Sequence, residues 1–317
     1  MQTENYKQIE GFRHISEVAN TAIKNINDIR EGRHHHIMTR WKKVNEITQG
    51  IQLGEQIVIA ARPGVGKSAT VNMIAEDIFN KVLNPNLKVI LLYWSWEMPD
   101  FQQVYRMMSS KTRKTVKELT SSIKPIETTL YEELVQTAQK LKGLPIYFRD
   151  TPMTSLAWAK KVEEVHNLFP DYKIVNIIDH TRLVKKSNQL TEEQKITDFM
   201  ETGVELKNKI LCTNIFLSQL NRDIEKEKDR QNIGKNPPVL SDIFGSDAVG
   251  QFANTVIILH RPEIYGLDTY LDEITANRIF WHFVKQRDGD LGYISLKHEL
   301  KYNNMEDLSE EDESLWS

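Results

Sequence analysis

Residues 57–70 read IVIAARPGVGKSAT: an apolar run, a turn of small residues, a Lys-Ser pair, then helix-forming residues. Gly64 and Gly66 let the backbone curl until successive N–H groups face one point, which is how a chain grips a phosphate. Lys67 then reaches the β- and γ-phosphates of a nucleotide, and Ser68 offers its hydroxyl to Mg²⁺. Arg62 and Ala69 flank these groups, so the expected nucleotide-binding set is Arg62, Gly64, Gly66, Lys67, Ser68 and Ala69. The helix that follows, ATVNMIAEDIF, aims the positive end of its dipole at the phosphates. The full phosphate-loop pattern is G-x-x-x-x-G-K-[ST], and Ala61 stands here where its first glycine is usual. A glycine-rich turn with a chance Lys-Ser is the plain alternative. The apolar strand before the loop and the helix after it argue against that alternative.

Three polar residues belong to the same chemistry. A Mg²⁺ site needs a second carboxylate at the end of a neighbouring buried strand, and KIVNIID ends in Asp179. A strand-terminal aspartate also serves as a turn or cap residue, and the phosphate loop tips the choice toward metal. VILLYWSWEM places Glu97 just past its strand, on the edge where α/β sheets bind ligands, as a base for the attacking water. Glu97 also suits the start of the helix that begins near Pro99. Gln219 ends the strand NIFLSQ on the same edge, where a neutral amide senses the γ-phosphate.

These side chains need a scaffold. From residue 57 the chain alternates strands and helices. Strands are predicted over 56–60, 88–95, 145–149, 173–179, 214–219, 255–260, 279–285 and 293–297. Helices are predicted over 68–82, 100–110, 131–142, 155–168 and 192–211. Runs such as KVILLYWS and KIVNIID are apolar almost throughout, as in strands of a parallel sheet covered by helices on both faces. The late strands lack intervening helices, so the sheet should finish antiparallel. Ahead of this core, Ile15, Val18, Ala19, Ala22, Ile23, Ile26 and Ile29 make one apolar stripe on a helix over 15–31 that stops at Gly32. That stripe must be covered by its own domain or by a neighbouring chain. His34-His35-His36 lack metal-ligand spacing and read as a solvated linker. The stretch 222–242 is a polar loop whose first part carries mixed charge. No internal repeat is present.

Composition bounds the answer. The chain has 317 residues, 40% hydrophobic and 27% charged, enough for one large α/β domain with extensions. No apolar run is long enough to span a bilayer, and no signal-peptide pattern opens the chain. The lone cysteine, Cys212, sits in apolar surroundings, excludes an intrachain disulfide and fits a cytosolic compartment as a small core residue. Net charge is −3, which excludes binding of nucleic acid by bulk charge alone. Six carboxylates crowd the last twelve residues, and the rest of the chain carries +3, so a local basic surface is open to it.

Six segments in chain order, IVIAARPGVGKSA, SWEMPDFQQVYRMMSS, IVNIIDH, IFLSQLNRDIE, PVLSDIFGSDAVGQFANTVIILHRPEIY and FVKQRDGDLG, span residues 57–292. Together they resemble the ATPase domain of replicative DNA helicases of the DnaB type. The resemblance implies an α/β, RecA-like P-loop NTPase fold with a largely parallel central sheet flanked by helices and antiparallel strands toward the C-terminus. It implies a homohexameric ring with ATP and Mg²⁺ at subunit interfaces and single-stranded DNA in the channel. Position by position, Lys67 and Ser68 match the phosphate and Mg²⁺ residues, Glu97 the catalytic carboxylate, Asp179 the Mg²⁺ aspartate and Gln219 the γ-phosphate sensor. Lys285 and Arg287 match the basic fingers that enter the neighbour's ATP site, where a cation steadies charge on the transferring phosphoryl group. The helix over 15–31 resembles the family's linker helix, which docks on the adjacent subunit.

Two departures matter. About fifty residues precede the core, too few for the family's larger N-terminal domain, so a core-only helicase is expected, phage- or plasmid-encoded and cytoplasmic. The family's channel loop commonly carries Arg-Glu-Ser-Gly, and this chain has Phe244, Gly245, Ser246 and Asp247 instead. The loop would then bind DNA through backbone N–H groups near Gly245 and Ser246 and through stacking of Phe244, unless Phe244 packs beneath the loop. The expected organisation is a linker region over 1–50, the ATPase domain over 51–300 and an acidic tail over 301–317. The tail resembles docking tails for a primase, helicase loader or polymerase, or it only solubilises. The principal expectation is DNA unwinding. A RecA-like ATPase that binds DNA or loads partners without unwinding is the alternative, and a strand-exchange recombinase comes third.

Overall fold

The computed structural model describes residues 9–32, 36–185, 190–221, 236–287 and 289–309. The helices are α1 (Ile15–Arg30), α2 (Lys42–Thr48), α3 (Lys67–Ile78), α4 (Asp100–Thr112), α5 (Val116–Leu119), α6 (Thr128–Lys142), α7 (Ser155–Leu168), α8 (Glu192–Ile210) and α9 (Ser246–Phe252). The strands are β1 (His36–Ile37), β2 (Ile51–Gln52), β3 (Gln56–Ala61), β4 (Val89–Ser95), β5 (Ile146–Arg149), β6 (Lys173–Asp179) and β7 (Thr213–Gln219). They continue with β8 (Thr255–His260), β9 (Thr269–Tyr270), β10 (Glu273–Ile274), β11 (Arg278–Gln286), β12 (Gly292–Glu299) and β13 (Asn304–Glu306).

One nine-stranded sheet organises the chain, in the order β13-β12-β11-β8-β3-β7-β6-β4-β5. From β8 to β5 the pairs are parallel, and β11, β12 and β13 complete it antiparallel. Every residue of β3, β4 and β8 is buried, which is why their sequences are apolar runs with polar residues only at their ends. The pleat sorts alternate residues to two cores. Ile57, Ile59 and Ala61 face the layer containing α2 and α3. Val58 and Ala60 face the layer of α7, α8 and α9. In the second layer Trp158 and Phe199 meet edge-on at 4.8 Å, and Phe199 and Phe216 at 5.3 Å, locking α7 and α8 to the sheet. Cys212 is buried there, and burial pushes its thiol up to about 12.

By its contacts the chain forms one unit up to His36 and another from Ile37 onward. Residues 37–50 were expected in the linker region. They belong with the second unit because Ile37, Trp41 and Val44 are buried in its core, and Arg40 pairs with Glu76 and Asp77 of α3, both at 2.9 Å. The ordered core also runs past residue 300: β13 pairs with β12, and the Trp41 indole N–H donates to the Met305 carbonyl at 3.0 Å. In the first unit α1 forms as predicted and none of its residues is buried. His36 opens β1, while His34 and His35, the mixed-charge stretch 222–235 and the acidic end 310–317 lie outside the described residues. Among the described residues no helix is long and apolar enough to cross a membrane.

Candidate active site

The chain leaves β3 at Ala61 and enters α3 at Lys67. Ala61 is the last strand residue, paired with Gln219 and fully buried, so extended backbone and not a glycine turn is required there. The curl falls at Gly64 and Gly66, with φ of +78° and +121°. A Cβ on Gly66 would also lie 2.9 Å from the Met305 Cε, because the end of the chain packs against the loop. The Lys67 ammonium folds back into the loop, donating to the carbonyls of Ala61 at 3.0 Å and Arg62 at 3.4 Å.

Strand order then delivers the other groups. β7 and β6 lie next in the sheet after β3, followed by β4, and each ends at the same edge as the loop. Ser68 Oγ donates to Asp179 Oδ2 at 3.0 Å. Asp179 Oδ1 is buried without a hydrogen-bond partner. The backbone N–H groups of Trp96 and Glu97 donate to the Asp179 carbonyl at 2.8 and 3.1 Å, which fixes Glu97 beside it. The Glu97 side chain is half-exposed at the rim. Asp179 and His180 are joined by a cis peptide bond. Nδ1 of His180 accepts the Arg182 N–H at 3.3 Å, so the neutral ring carries its proton on Nε2. Nε2 lies 3.4 Å from the Gln219 amide and 3.8 Å from Glu97 Oε2. A proton there is satisfied when the amide turns its oxygen to the ring. His180 thus stands between the two groups expected to handle water and the γ-phosphate.

Charge in this cluster is under strain. Burial, reinforced by the nearby Glu97 charge, lifts the Asp179 carboxyl to about 6 despite the Ser68 hydrogen bond and the Lys67 charge. Burial lowers Lys67 to about 8 although Asp179 and Glu97 oppose it. Burial also lowers His180 below the usual imidazole range. A buried carboxylate oxygen without a donor, a hydroxyl on the other oxygen and an ammonium held in a loop of carbonyls fit a hard cation with a phosphate. Both Ser68 and Asp179 supply oxygen, as Mg²⁺ prefers. The cluster opens on a cleft of about 930 Å³ bordered by Pro63, Lys67, Glu97, Tyr105, Gln219 and Lys301.

The two remaining basic residues lie elsewhere. Lys285 and Gln286 pair with Val256 and Thr255 at the start of β8, and the Arg287 N–H donates to the Asn254 carbonyl at 3.1 Å. Asn254 in turn bonds the first residue of β3, Gln56, at 2.7 Å. Lys285 and Arg287 therefore occupy the sheet edge opposite the glycine loop. Lys285 Nζ donates to the Gly250 and Ala253 carbonyls, both at 2.6 Å, at the end of α9, and Arg287 is exposed. Phe244 is half-buried; its N–H donates to the Gln219 carbonyl at 3.1 Å, and the Arg182 guanidinium lies over its ring at 4.4 Å. A cation of the same chain thus occupies one face of the ring that was expected to stack on a base. Gly245 and Ser246 follow as the turn into α9.

The sequence reading did not single out His180, Arg182, Arg106, Arg261, Lys301 or Asn303. Arg106, Lys301 and Asn303 border the cleft, and Arg261 reaches the Gly64 carbonyl at 3.4 Å. Only His180 had a signal in the sequence, being a polar residue next to Asp179 where a buried strand ends. The others arrive by tertiary packing.

Comparison with known proteins adds kinship. The sequence profile described as DnaB-like helicase C terminal domain matches residues 36–307. The replicative DNA helicase DnaB of Geobacillus stearothermophilus is 26% identical over 317 residues, 97% of this chain and 65% of its own length. The probable replicative DNA helicase of Trieres chinensis is 29% identical over 270 residues, 83% of this chain and 55% of its own. The chain thus spans about 55–65% of the length of these two curated relatives. Among solved structures, an isolated ATPase domain superposes with a TM-score of 0.79 at 19% identity, covering 94% of this chain and all of that one. A DnaB-like replicative helicase described with its interactions with primase gives 0.76 at 20% identity, covering 94% of this chain and 68% of its own. At these identities the superpositions show a common RecA-like fold.

Proposed function

The chain belongs to the DnaB-like helicase C-terminal domain family, and from that premise we propose that it is the ATP-hydrolysing motor of a ring-shaped replicative DNA helicase, moving on single-stranded DNA. One observation carries the reading. The nucleotide cluster, Lys67, Ser68, Glu97, Asp179 and Gln219, lies at one edge of the sheet, and the free-standing cation Arg287 with Lys285 lies at the opposite edge. Those cations cannot serve the nucleotide of their own chain. A ring of copies gives them a phosphate to meet.

In this proposal the loop N–H groups around Gly64 and Gly66, with Lys67, hold the β- and γ-phosphates of ATP. Ser68 and Asp179 hold Mg²⁺, which neutralises phosphate charge when bound. Glu97 accepts a proton from the attacking water, and its position at the cleft rim leaves room for that water. The His180 Nε2 proton orients the Gln219 amide, whose remaining donors face the γ-phosphate. Arg287 of the adjacent copy steadies the charge that develops on the transferring group. Lys285 reaches the same place only by leaving the carbonyls of α9. The exposed stripe of α1 is proposed to dock on the adjacent copy, and a hexamer is the proposed assembly. Primase, loader or polymerase contacts are proposed for the acidic end.

The test combines steady-state ATPase assays, with and without poly-dT, and unwinding of a forked duplex. DNA-stimulated hydrolysis with strand separation, both abolished in Lys67→Ala, is the expected result. Stimulation without separation would favour an ATPase that binds DNA or loads partners. Hydrolysis by Arg287→Ala at the full rate would remove the interfacial mechanism. Native mass spectrometry with ATP and Mg²⁺ reads the subunit number.

A further inference from the structure

Arg182 lies in the short 3-10 turn Thr181–Leu183 that follows β6. Its backbone is fixed at both polar groups. The N–H donates to His180 Nδ1 at 3.3 Å, and the carbonyl accepts Lys195 Nζ at 2.8 Å. Lys195 is itself buried, so the turn is anchored to α8. The side chain is exposed and ends over the Phe244 ring at 4.4 Å. Among the described residues the guanidinium has no hydrogen-bond or ion-pair partner. Stacking uses the face of a guanidinium and leaves the N–H donors around its rim.

The same two residues share a cavity of about 380 Å³ with Arg62, Gln219 and Asn221. Among the described residues that line it are two guanidinium groups and no carboxylate. Its floor is hydrogen-bonded: Asn221 N–H donates to the Asp242 carbonyl at 2.7 Å, and Arg62 Nη1 to the Leu220 carbonyl at 3.0 Å. Lys67 and Ser68 do not line it. A planar cation, held flat and with its donor edge open beside a second cation, is built for a phosphate oxygen.

We infer that Arg182, positioned by Phe244, is a phosphate-binding residue for single-stranded nucleic acid. The inference rests on the motor reading, which brings a strand past the segment from Asp242 to Ser246. Phe244 then acts as the platform that aims the guanidinium. Because Phe244 N–H is bonded to the Gln219 carbonyl, this contact sits one residue from the nucleotide cluster. The same chemistry would suit the γ-phosphate of ATP, so the experiment separates the two sources.

Binding of fluorescein-labelled oligo-dT is measured with a non-hydrolysable ATP analogue and Mg²⁺ over a range of salt. Wild type, Arg182→Gln, Arg182→Lys, Phe244→Ala and Phe244→Trp are compared, and a fluorescent ATP analogue reads the nucleotide site. Each phosphate contact removed should flatten the plot of log affinity against log salt by about 0.7 per strand-engaged subunit. Arg182→Gln should show that flattening and bind about tenfold more weakly, with unchanged affinity for the ATP analogue. Arg182→Lys should keep the slope and lose part of the affinity. Phe244→Ala should weaken binding and Phe244→Trp should not. A wild-type slope in Arg182→Gln overturns the inference, as does lost ATP-analogue affinity with intact strand binding. Should Arg182→Gln fail to fold, equal strand binding by the two Phe244 variants overturns it as well. Wild-type protein without any affinity for oligo-dT sinks the motor reading itself, and the inference with it.

Discussion

Asp179 is held at a disadvantage, and replacing it should make the protein more stable. Its carboxyl is raised from 3.8 to about 6, chiefly by burial and next by the Glu97 charge. Ionising it in the folded protein therefore costs about 3 kcal/mol relative to the unfolded chain, since a tenfold change in proton affinity is worth roughly 1.4 kcal/mol. The sign follows from proton counting. Between pH 3.8 and about 6 the folded state holds a proton that the unfolded state has released. Stability from this group is therefore lost as pH rises through that window, and the loss is complete above it. Asp179→Asn keeps an oxygen to accept the Ser68 hydroxyl and removes the charge. The variant should match wild type near pH 4 and exceed it by about 3 kcal/mol at pH 7.5. For a chain of this size that corresponds to roughly 4–5 °C in Tm.

Urea titrations of both proteins at pH 4.5, 6 and 7.5, in EDTA and without nucleotide, give the difference directly. Other titrating groups largely cancel because they are common to both. A second series adds Mg²⁺ and ATP, which should stabilise wild type through the metal site proposed at Ser68 and Asp179 and leave the variant almost unmoved. A gap that shrinks as pH rises, or no gap at pH 7.5, would refute the argument that burial and Glu97 load this carboxylate. A variant stabilised by Mg²⁺ and ATP as strongly as wild type would remove Asp179 from the metal site while leaving the stability argument intact.

Two further outcomes follow from other parts of the chain. Burial lowers His260 to about 3 and His282 to about 4, with the second imidazole adding to the effect on His260. Below the ordinary imidazole pKa near 6.5 the unfolded state takes up protons that the folded state refuses, so stability should fall with falling pH, by up to about 1.4 kcal/mol per pH unit for each ring. His260→Phe, in a ring-lined site beside Tyr265 and Tyr270, should flatten that slope in urea titrations between pH 6.5 and 4.5; an unchanged slope excludes the histidine as its source. Lys285→Met removes both hydrogen bonds to the last carbonyls of α9, so backbone amides over 246–253 should exchange with deuterium faster than in wild type. Unchanged protection there would show that the lysine does not hold the helix.

The sheet was legible because burial on both faces writes itself into composition. The eight strands predicted from 56 to 297 all form, with ends shifted by at most two residues, and their parallel-then-antiparallel order follows from where helices intervene. Lys67, Ser68, Asp179, Glu97 and Gln219 were legible for a related reason: each stands at a strand end on one edge, and edge position is a property of sequence pattern. What escaped depends on distant segments meeting. Trp41 looks like a linker residue until Met305 accepts its indole N–H. Arg182 and Phe244 are 62 positions apart, and no periodicity pairs them. Lys285 read as a solvated strand-end charge or a finger, and its bonds to α9 depend on a β-bulge between Phe283 and Lys285 that no local pattern announces.

The segment from Asp242 to Ala253 is tied at both ends to groups proposed to act on ATP. At its start, Asp242 and Phe244 are hydrogen-bonded to Asn221 and Gln219, and Ile243 bridges Leu220. At its end, Gly250 and Ala253 share the Lys285 ammonium. Between these ties α9 packs on α8 through Ala248 and Val249. A short segment with anchored ends and with Ile243, Ala248, Val249 and Ala253 buried moves as a body, since bending it would break its main-chain hydrogen bonds and unpack those side chains. Under the proposed function, a shift of the Gln219 strand end on loss of the γ-phosphate, or withdrawal of Lys285 toward a neighbour's phosphate, would therefore act on the same body and on the Arg182–Phe244 pair at its front. In the proposed ring, a strand held there would feel the nucleotide of its own subunit through Gln219 and that of the next through Lys285, a coupling that the proposed motor would need in order to hydrolyse ATP subunit by subunit.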